Sequence, residues 1–319
     1  MSLSTEITVG TDVVVRQLRW EADGVVSLQL ATPGGELLPP WEPGSHIDVV
    51  LPNGVERQYS LCGPPGERAY YRIGVRRERA SRGGSEYVHA FLRPGQRLTI
   101  KGPRNNFGFR PAESYVFVAA GIGITPILPM IREAESQHAD WQLYFGGHTS
   151  ASMPFLDELR SYGPRVRCHP ADTVGRIPLP ELEKPAQSGA KVYACGPASL
   201  LSDLDTAAEN WPDGTLHLER FKVREIPPAE NKPVEVVCAA SKKTVSVPAD
   251  KSIIRALEDA GIRPPTSCRS GICGSCETRV LEGIPEHRDG ILSASEQKAG
   301  DRMFVCVSRA RTPRLVLDL

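Results

Sequence analysis

The chain has 319 residues, enough for two or three domains of roughly 100 to 200 residues, each with its own core. Lys plus Arg and Asp plus Glu both number 38, so nothing in the overall charge selects nucleic acid or an anionic membrane as partner. No 18-residue apolar run occurs, and the first fifteen residues lack the basic and apolar regions of a secretory leader, so a cytoplasmic protein is expected.

Residues 12 to 101 alternate apolar and polar positions in short runs broken by turn signals. Pro52-Asn53-Gly54 marks a hairpin, so this part reads as an antiparallel barrel or sandwich. Ser85 to Leu92 is the one helix expected within it, capped by Ser85 and stopped by Arg93-Pro94-Gly95. Between Glu56 and Arg104 stand eleven Arg or Lys against four Glu. That excess suits an anionic ligand or acidic partner and equally a solvated surface.

From Tyr115 the rhythm changes to buried strands followed by helical segments, the pattern of a parallel sheet with crossover helices. Strands are expected at Tyr115 to Ala120, Trp141 to Gly147, Lys191 to Cys195 and Thr215 to Glu219. Helices are expected from about Pro126, near Phe155 to Ser161 and near Ser199 to Asn210. Lys222 to Pro233 is polar, holds three prolines and reads as a connecting segment, with a reach of a little under about 40 Å if extended. A hairpin follows from Val234 to Val247, then a short helix from about Lys251 to Ala260, capped by Asp250 and closed by Gly261. The chain thus divides into 1–109, 110–222, a linker at 223–233, and 234–319.

Eight cysteines are too sparse for a secreted disulfide scaffold, yet four fall in the last 52 residues. Cys268, Cys273, Cys276 and Cys306 follow the C-x4-C-x2-C…C spacing that holds a plant-type [2Fe–2S] cluster. Gly271 and Gly274 would let the backbone wrap and point N–H groups at sulfur. A zinc site would normally need two short knuckles, and a redox Cys-x-x-Cys a βαβ setting; this segment has neither.

Gly121-Ile122-Gly123-Ile124-Thr125-Pro126 follows an apolar strand, with Thr125 as expected N-cap and Pro126 as first helical residue. Such a turn attracts phosphate, although the complete Gly-x-Gly-x-x-Gly fingerprint is absent and a ligand-free packed turn explains it equally well. Cys195-Gly196-Pro197 also ends a strand and should border the same crevice. Arg57-Gln58-Tyr59-Ser60 offers a forked cation, an aromatic face and a hydroxyl on a barrel strand, and Arg82-Gly83-Gly84-Ser85 precedes the barrel helix. Singly, each of these has an ordinary surface or packing explanation.

Together and in this order, the motifs resemble the phthalate dioxygenase reductase family over essentially the whole chain. The likeness includes Gly102 to Phe107, His287-Arg288-Asp289, Cys306 to Ala310 and the ending Leu315 to Leu319. It implies an antiparallel β-barrel flavin domain, an α/β nicotinamide domain with a parallel sheet, and a C-terminal α+β ferredoxin-like (β-grasp) domain. It also implies FMN on Arg57, Tyr59, Ser60, the backbone of Ile73 to Val75, Arg82, Gly83, Gly84 and Ser85, with Thr125 reaching the ring and Phe221 covering it. Gly121, Gly123, Cys195, Gly196 and Pro197 would line the nicotinamide site. Gly146 to Ser152 contains neither an acid for a ribose hydroxyl nor an Arg for a 2′-phosphate, and the family preference points to NADH.

The expected role is the monomeric reductase component of a Rieske-type oxygenase system, in which no side chain acts as general acid or base. A nicotinamide gives two electrons together and a cluster accepts one, so a flavin belongs between them. Two other readings are a cluster-based redox sensor responding to NAD, and a zinc protein with a degenerate flavin site. His46, His89, His148 and His287 are expected to be structural or superficial.

Overall fold

The computed structural model describes residues 10–78, 83–221, 231–292 and 294–319. It falls into two compact units, one ending at Leu218 and the other spanning Glu219–Leu319. No helix among the described residues is long and apolar enough to cross a membrane.

The first unit opens with β1 (Thr11–Ala22), β2 (Val25–Ala31), β3 (Ser45–Val50), β4 (Glu56–Ser60), β5 (Tyr71–Arg76), helix α1 (Gly84–Ala90) and β6 (Arg97–Asn105). The strands pair antiparallel in the order β4-β3-β6-β1-β2-β5. Its two end strands meet through one bridge, Leu61 to Ile73, which curls the sheet into a barrel. Val13, Leu28, Ile47, Val49 and Ile73 fill its interior, as the alternation requires. The hairpin at Pro52-Asn53-Gly54 joins β3 to β4 as expected. Helix α1 lacks the expected Ser85 cap. Left-handed Gly83 (φ 85°) precedes it, while Ser85 Oγ accepts the N–H of Glu78 at 3.0 Å.

Within the same unit, β7 (Ser114–Ala120), α2 (Ile124–Ser136), β8 (Asp140–Gly147), α3 (Leu156–Leu159), β9 (Val166–Pro170), α4 (Glu183–Gln187), β10 (Lys191–Cys195), α5 (Ala198–Ala207) and β11 (Leu216–Glu219) build the second layer. The sheet order is β11-β10-β7-β8-β9, and β10, β7, β8 and β9 run parallel. Strands β7 and β10 are neighbours although far apart in sequence, which places a topological switch point at their carboxyl ends. Helix α2 begins two residues before Pro126, because a 3₁₀ turn over Gly121–Gly123 runs straight into it. Thr125 therefore lies inside the first turn and donates its hydroxyl to the Ile122 carbonyl at 2.8 Å instead of capping. Helix α3 is only four residues long, since Gly163 (φ 59°) and Pro164 break its continuation. Strand β9 was not expected: four of its five residues are partly or fully exposed, so it carries no apolar period.

The second unit contains β12 (Val234–Cys238), β13 (Lys243–Val247), α6 (Ile253–Asp259), β14 (Glu277–Glu282), β15 (Pro285–Glu286), α7 (Ala294–Ala299), β16 (Arg302–Phe304), β17 (Arg309–Ala310) and β18 (Arg314–Leu317). The main sheet, β13-β12-β18-β14-β16, has β18 parallel to β12 beside an antiparallel hairpin, the β-grasp arrangement. Ile253, Ile254 and Leu257 of α6 pack with Val236 and Leu315 in its core. Ser252, not Asp250, occupies the N-cap position of α6. Arg309, 4% exposed, donates to the carbonyls of Lys251 (2.6 Å), Lys232 (2.7 Å) and Pro248 (3.2 Å), fastening the entry of this unit to its core. Of the proposed linker, residues 222–230 lie outside the described residues.

Much of the basic excess between Glu56 and Arg104 is matched in ion pairs. Arg77 pairs with Glu86, Arg76 with Glu78, Lys101 with Glu56, Arg72 with Glu158, and Arg104 with the fully buried Asp48. Beside that last pair lies His46, 6% exposed, whose pKa burial and then the Arg104 charge pull down to about 4, against the opposing pull of Asp48. The folded chain therefore refuses a proton that the unfolded chain accepts near 6.5. Its contribution is complete above that pH and is lost as pH falls toward 4, a difference of about 3 kcal/mol. His46→Gln should flatten this fall, seen as a smaller change in denaturant midpoint between about pH 7 and about pH 4.5 than in the parent.

Candidate functional site

Cys268, Cys273 and Cys276 lie on the loop between α6 and β14, and Cys306 follows β16. The loop turns tightly because Arg269, Gly271 and Gly274 adopt left-handed angles, with φ of 52, 70 and 73°. A Cβ on Gly271 would also stand 2.6 Å from Val307 Cγ2 and 3.1 Å from Asp289 Cα. Behind it, Gly290 N–H donates to the Gly271 carbonyl at 2.9 Å. Buried Asp289 receives the N–H groups of Ile291 and Leu292 at 3.1 and 2.9 Å.

The four sulfurs approach as two pairs, Cys268 with Cys273 and Cys276 with Cys306, each linked by a thiol hydrogen bond. That bond lowers Cys273 and raises Cys268; in the second pair it lowers Cys306 and raises Cys276. Ser270 N–H reaches Cys268 Sγ at 3.3 Å, and Ser275 Oγ lies 3.0 Å from Cys273 Sγ. Among the described residues no three His, Cys, Asp or Glu side chains converge as a single metal ion would require. Two adjacent sulfur pairs, with donors aimed at sulfur, instead fit a two-iron cluster, one pair for each iron. The other cysteines lie elsewhere: Cys62, Cys195 and Cys238 are buried, and Cys168 is exposed.

In the first unit, the end strands β4 and β5 part company beyond the Leu61–Ile73 bridge. The pleat sends Arg57 and Tyr59 to one face of β4 and buried Ser60 to the other. Burial raises the Tyr59 hydroxyl to about 12, so it remains a neutral phenol. Arg57 lies so close over α1 that a Cβ on Gly84 would stand 2.8 Å from its Cγ, which joins the strand motif to the Gly83-Gly84-Ser85 turn. Asn53 Nδ2 holds the Gly83 carbonyl at 3.1 Å. Arg82 lies outside the described residues. Ile73 and Val75 point their side chains into the barrel core, leaving only backbone for a ligand, whereas Arg72, Gly74 and Arg76 face outward. A Cβ on Gly74 would meet Thr125 Cγ2 at 2.7 Å, so Thr125 does reach this strand. Phe221 is the third residue of the second unit and is 38% exposed.

A cleft of roughly 370 Å³ opens at the switch point, walled by Gly121, Pro197, His148, His169, Arg176 and Asp203, with Arg76 on its barrel side. Gly123 and Gly196 do not line it. Instead, Gly123 packs on the Cys195 carbonyl and Gly196 on Ala120, which brings the two expected turns together. The Cys195 side chain is buried. His148, expected to be structural or superficial, and Arg176 sit on loops, His169 on the unexpected strand β9 and Asp203 on helix α5, where no motif marked them as part of a site. Burial lowers the His169 pKa, favouring a neutral ring that stacks on Tyr144.

Residues 236–311 match the family model described as "2Fe-2S iron-sulfur cluster binding domain". The chain is 38% identical over 307 residues to the phenoxybenzoate dioxygenase subunit beta of Ectopseudomonas oleovorans, covering 96% of each. Its structure is similar to that of phthalate dioxygenase reductase, a modular structure for electron transfer from pyridine nucleotides to [2Fe–2S]. The TM-score is 0.70 at 35% identity, with 97% of this chain and 98% of that one covered. An intact type IV self-sufficient cytochrome P450 monooxygenase gives a TM-score of 0.90 at 41% identity, covering 98% of this chain and 41% of that chain.

A barrel, a parallel layer with a switch-point cleft and a cluster-binding β-grasp unit together define an iron–sulfur flavoprotein reductase. More narrowly, the chain belongs to the phthalate dioxygenase reductase family: it is an oxidoreductase whose [2Fe–2S] domain delivers electrons to an oxygenase.

Gly271→Ala should strain a left-handed backbone and press on Val307 and Asp289 at once. The expected outcome is a large loss of bound iron and of long-wavelength absorption, measured by iron analysis and visible spectroscopy, with the first unit still folded.

Proposed function

We propose that FMN binds where β4 and β5 part, that NADH enters the switch-point cleft, and that the cluster unit passes electrons to a Rieske-type oxygenase. The observation that carries this reading is the meeting at β5, where Thr125 of the nicotinamide layer presses on Gly74 of the barrel. It makes one junction of the two expected ligand sites. The flavin phosphate would take Arg57 and the Gly83-Gly84-Ser85 turn, together with Arg82. Tyr59 would offer its ring face, Ser60 and the backbone of Ile73 and Val75 would contact the isoalloxazine edge, and Thr125 would close on it.

The nicotinamide site comprises Gly121, Gly123, Cys195, Gly196 and Pro197. Gly121 and Pro197 would touch the ligand, and the others would hold the two turns in register. Bound FMN supplies the exchange between a two-electron donor and a one-electron acceptor. The protein's part is to stack and orient the two rings and to exclude water from around them. We divide the chain into 1–109, 110–222, 223–233 and 234–319, and place it in the cytoplasm as a monomer.

The likeness to a chain that includes a cytochrome P450 favours a second reading, in which the terminal acceptor is a haem oxygenase. Purified reductase mixed with NADH and either kind of oxygenase separates them. Product with the Rieske enzyme is expected; product only with the haem enzyme overturns that choice, and cytochrome c reduction serves as the control for electron output. Very slow turnover with every acceptor would instead support the sensor reading. Cys273→Ser is expected to remove the long-wavelength cluster absorption while NADH still bleaches the flavin band, followed by stopped-flow absorbance. Loss of both bands together would contradict independent flavin and cluster units.

A further inference from the structure

Behind the junction at Gly74 lies a three-residue bridge that the cofactor sites themselves do not require. Arg72 on β5 donates to Glu158 Oε2 at 2.9 Å and, through Nε and Nη2, to the Cys62 carbonyl at 3.1 and 2.7 Å. Arg132 on α2 pairs with the other oxygen of Glu158 and donates to the carbonyls of Cys62 (3.1 Å) and Gly63. One carboxylate on α3 thus ties a barrel strand to the main helix of the nicotinamide layer. The arginine side chains are only 14% and 18% exposed, so water screens these charges weakly. Without the carboxylate, two guanidinium groups would face each other across a shared carbonyl.

The bridge is in register with the junction. Arg72 and Gly74 are two residues apart on one face of β5, about 7 Å along the strand. Phe155 and Glu158 are three residues apart, on either side of one helical turn. Glu158 grips Arg72, while the ring of Phe155, itself beneath the Arg72 guanidinium at 5.1 Å, would lie 3.4 Å from a Cβ on Gly74. Phe155 holds a left-handed backbone (φ 63°) while buried, a conformation that an aromatic residue keeps only where its surroundings fix it. Two contact points along one strand, with the Asp23 N–H to Ala151 carbonyl bond at 2.9 Å beyond them, set both a separation and an angle.

The geometry points to Arg72, Glu158 and Arg132 as positioning residues that set the distance and angle between nicotinamide and flavin for hydride transfer. This rests on the reading that FMN lies at β4 and β5. A change of about 1 Å in such a separation costs up to about 100-fold in rate.

The test is Glu158→Gln in the full-length holoprotein, followed by stopped-flow reduction of the flavin band by NADH. The limiting rate should fall about 10- to 100-fold, the nicotinamide–flavin charge-transfer absorbance should weaken, and half-saturating NADH should hardly move. FMN content and the rate of photochemical flavin reduction should match the parent. Asp157→Asn, which breaks the exposed neighbouring Asp157–Arg160 pair, is the control and should leave the limiting rate unchanged. If Glu158→Gln does not fold, Glu158→Asp, which keeps the charge one methylene shorter, should show the same loss in milder form. A parental limiting rate and charge-transfer band in the folded variant would overturn the proposal. Absence of FMN from the parent protein would instead defeat the underlying flavin reading.

Discussion

Strand β5 meets two demands that only its pleat can reconcile. Inward, Ile73 and Val75 belong to the barrel core and cannot change size without disturbing it. Outward, Arg72, Gly74 and Arg76 meet the nicotinamide layer as ion-pair partner, gap and cleft wall. The outward face can be polar and nearly flat because the inward face already anchors the strand. Its edge past the Leu61 bridge, where His89 Nε2 meets the Val75 carbonyl at 3.0 Å, is then the backbone left for a ligand. A barrel closed by a full ladder between β4 and β5 would be better paired and would have no such edge.

The cluster loop solves a different problem. Four thiols in a small space repel one another once ionised, and the loop answers with backbone donors and left-handed turns instead of basic side chains. Arg269, the cation within it, reaches outward to Glu258 at 2.6 Å. Charge around the sulfurs is therefore governed largely by neutral groups, which leaves the exposed face of the loop free to vary with its electron acceptor.

The sequence discloses these two regions unequally. The cysteine spacing is local and chemically distinctive, so the cluster-binding loop was legible as a motif. Strands β7, β8 and β10 were legible because buried parallel strands are continuous apolar runs. Helix caps were misread at Ser85, Thr125 and Asp250 for a common reason: a capping residue type says that a helix begins nearby, while neighbouring turns decide which donor its oxygen meets. Strand β9 escaped notice as a polar edge, and with it went His169 on the cleft wall. The Arg72–Glu158 contact spans 86 positions between two residue types common on any surface, so no local pattern announces it.

How the chain can be cut and rejoined follows from where its contacts lie. The Asp23 N–H to Ala151 carbonyl bond, at 2.9 Å, ties the barrel to the layer alongside the contacts of β5. A chimaera exchanging only one of the two would have to rebuild that whole surface at once. After Leu218 the chain passes into a unit with its own core, where recombination has far less to preserve. The exception is Lys232, whose carbonyl is held by Arg309, three residues beyond Cys306. A transplanted cluster module should therefore begin upstream of Lys232, or it will leave a buried guanidinium short of an acceptor.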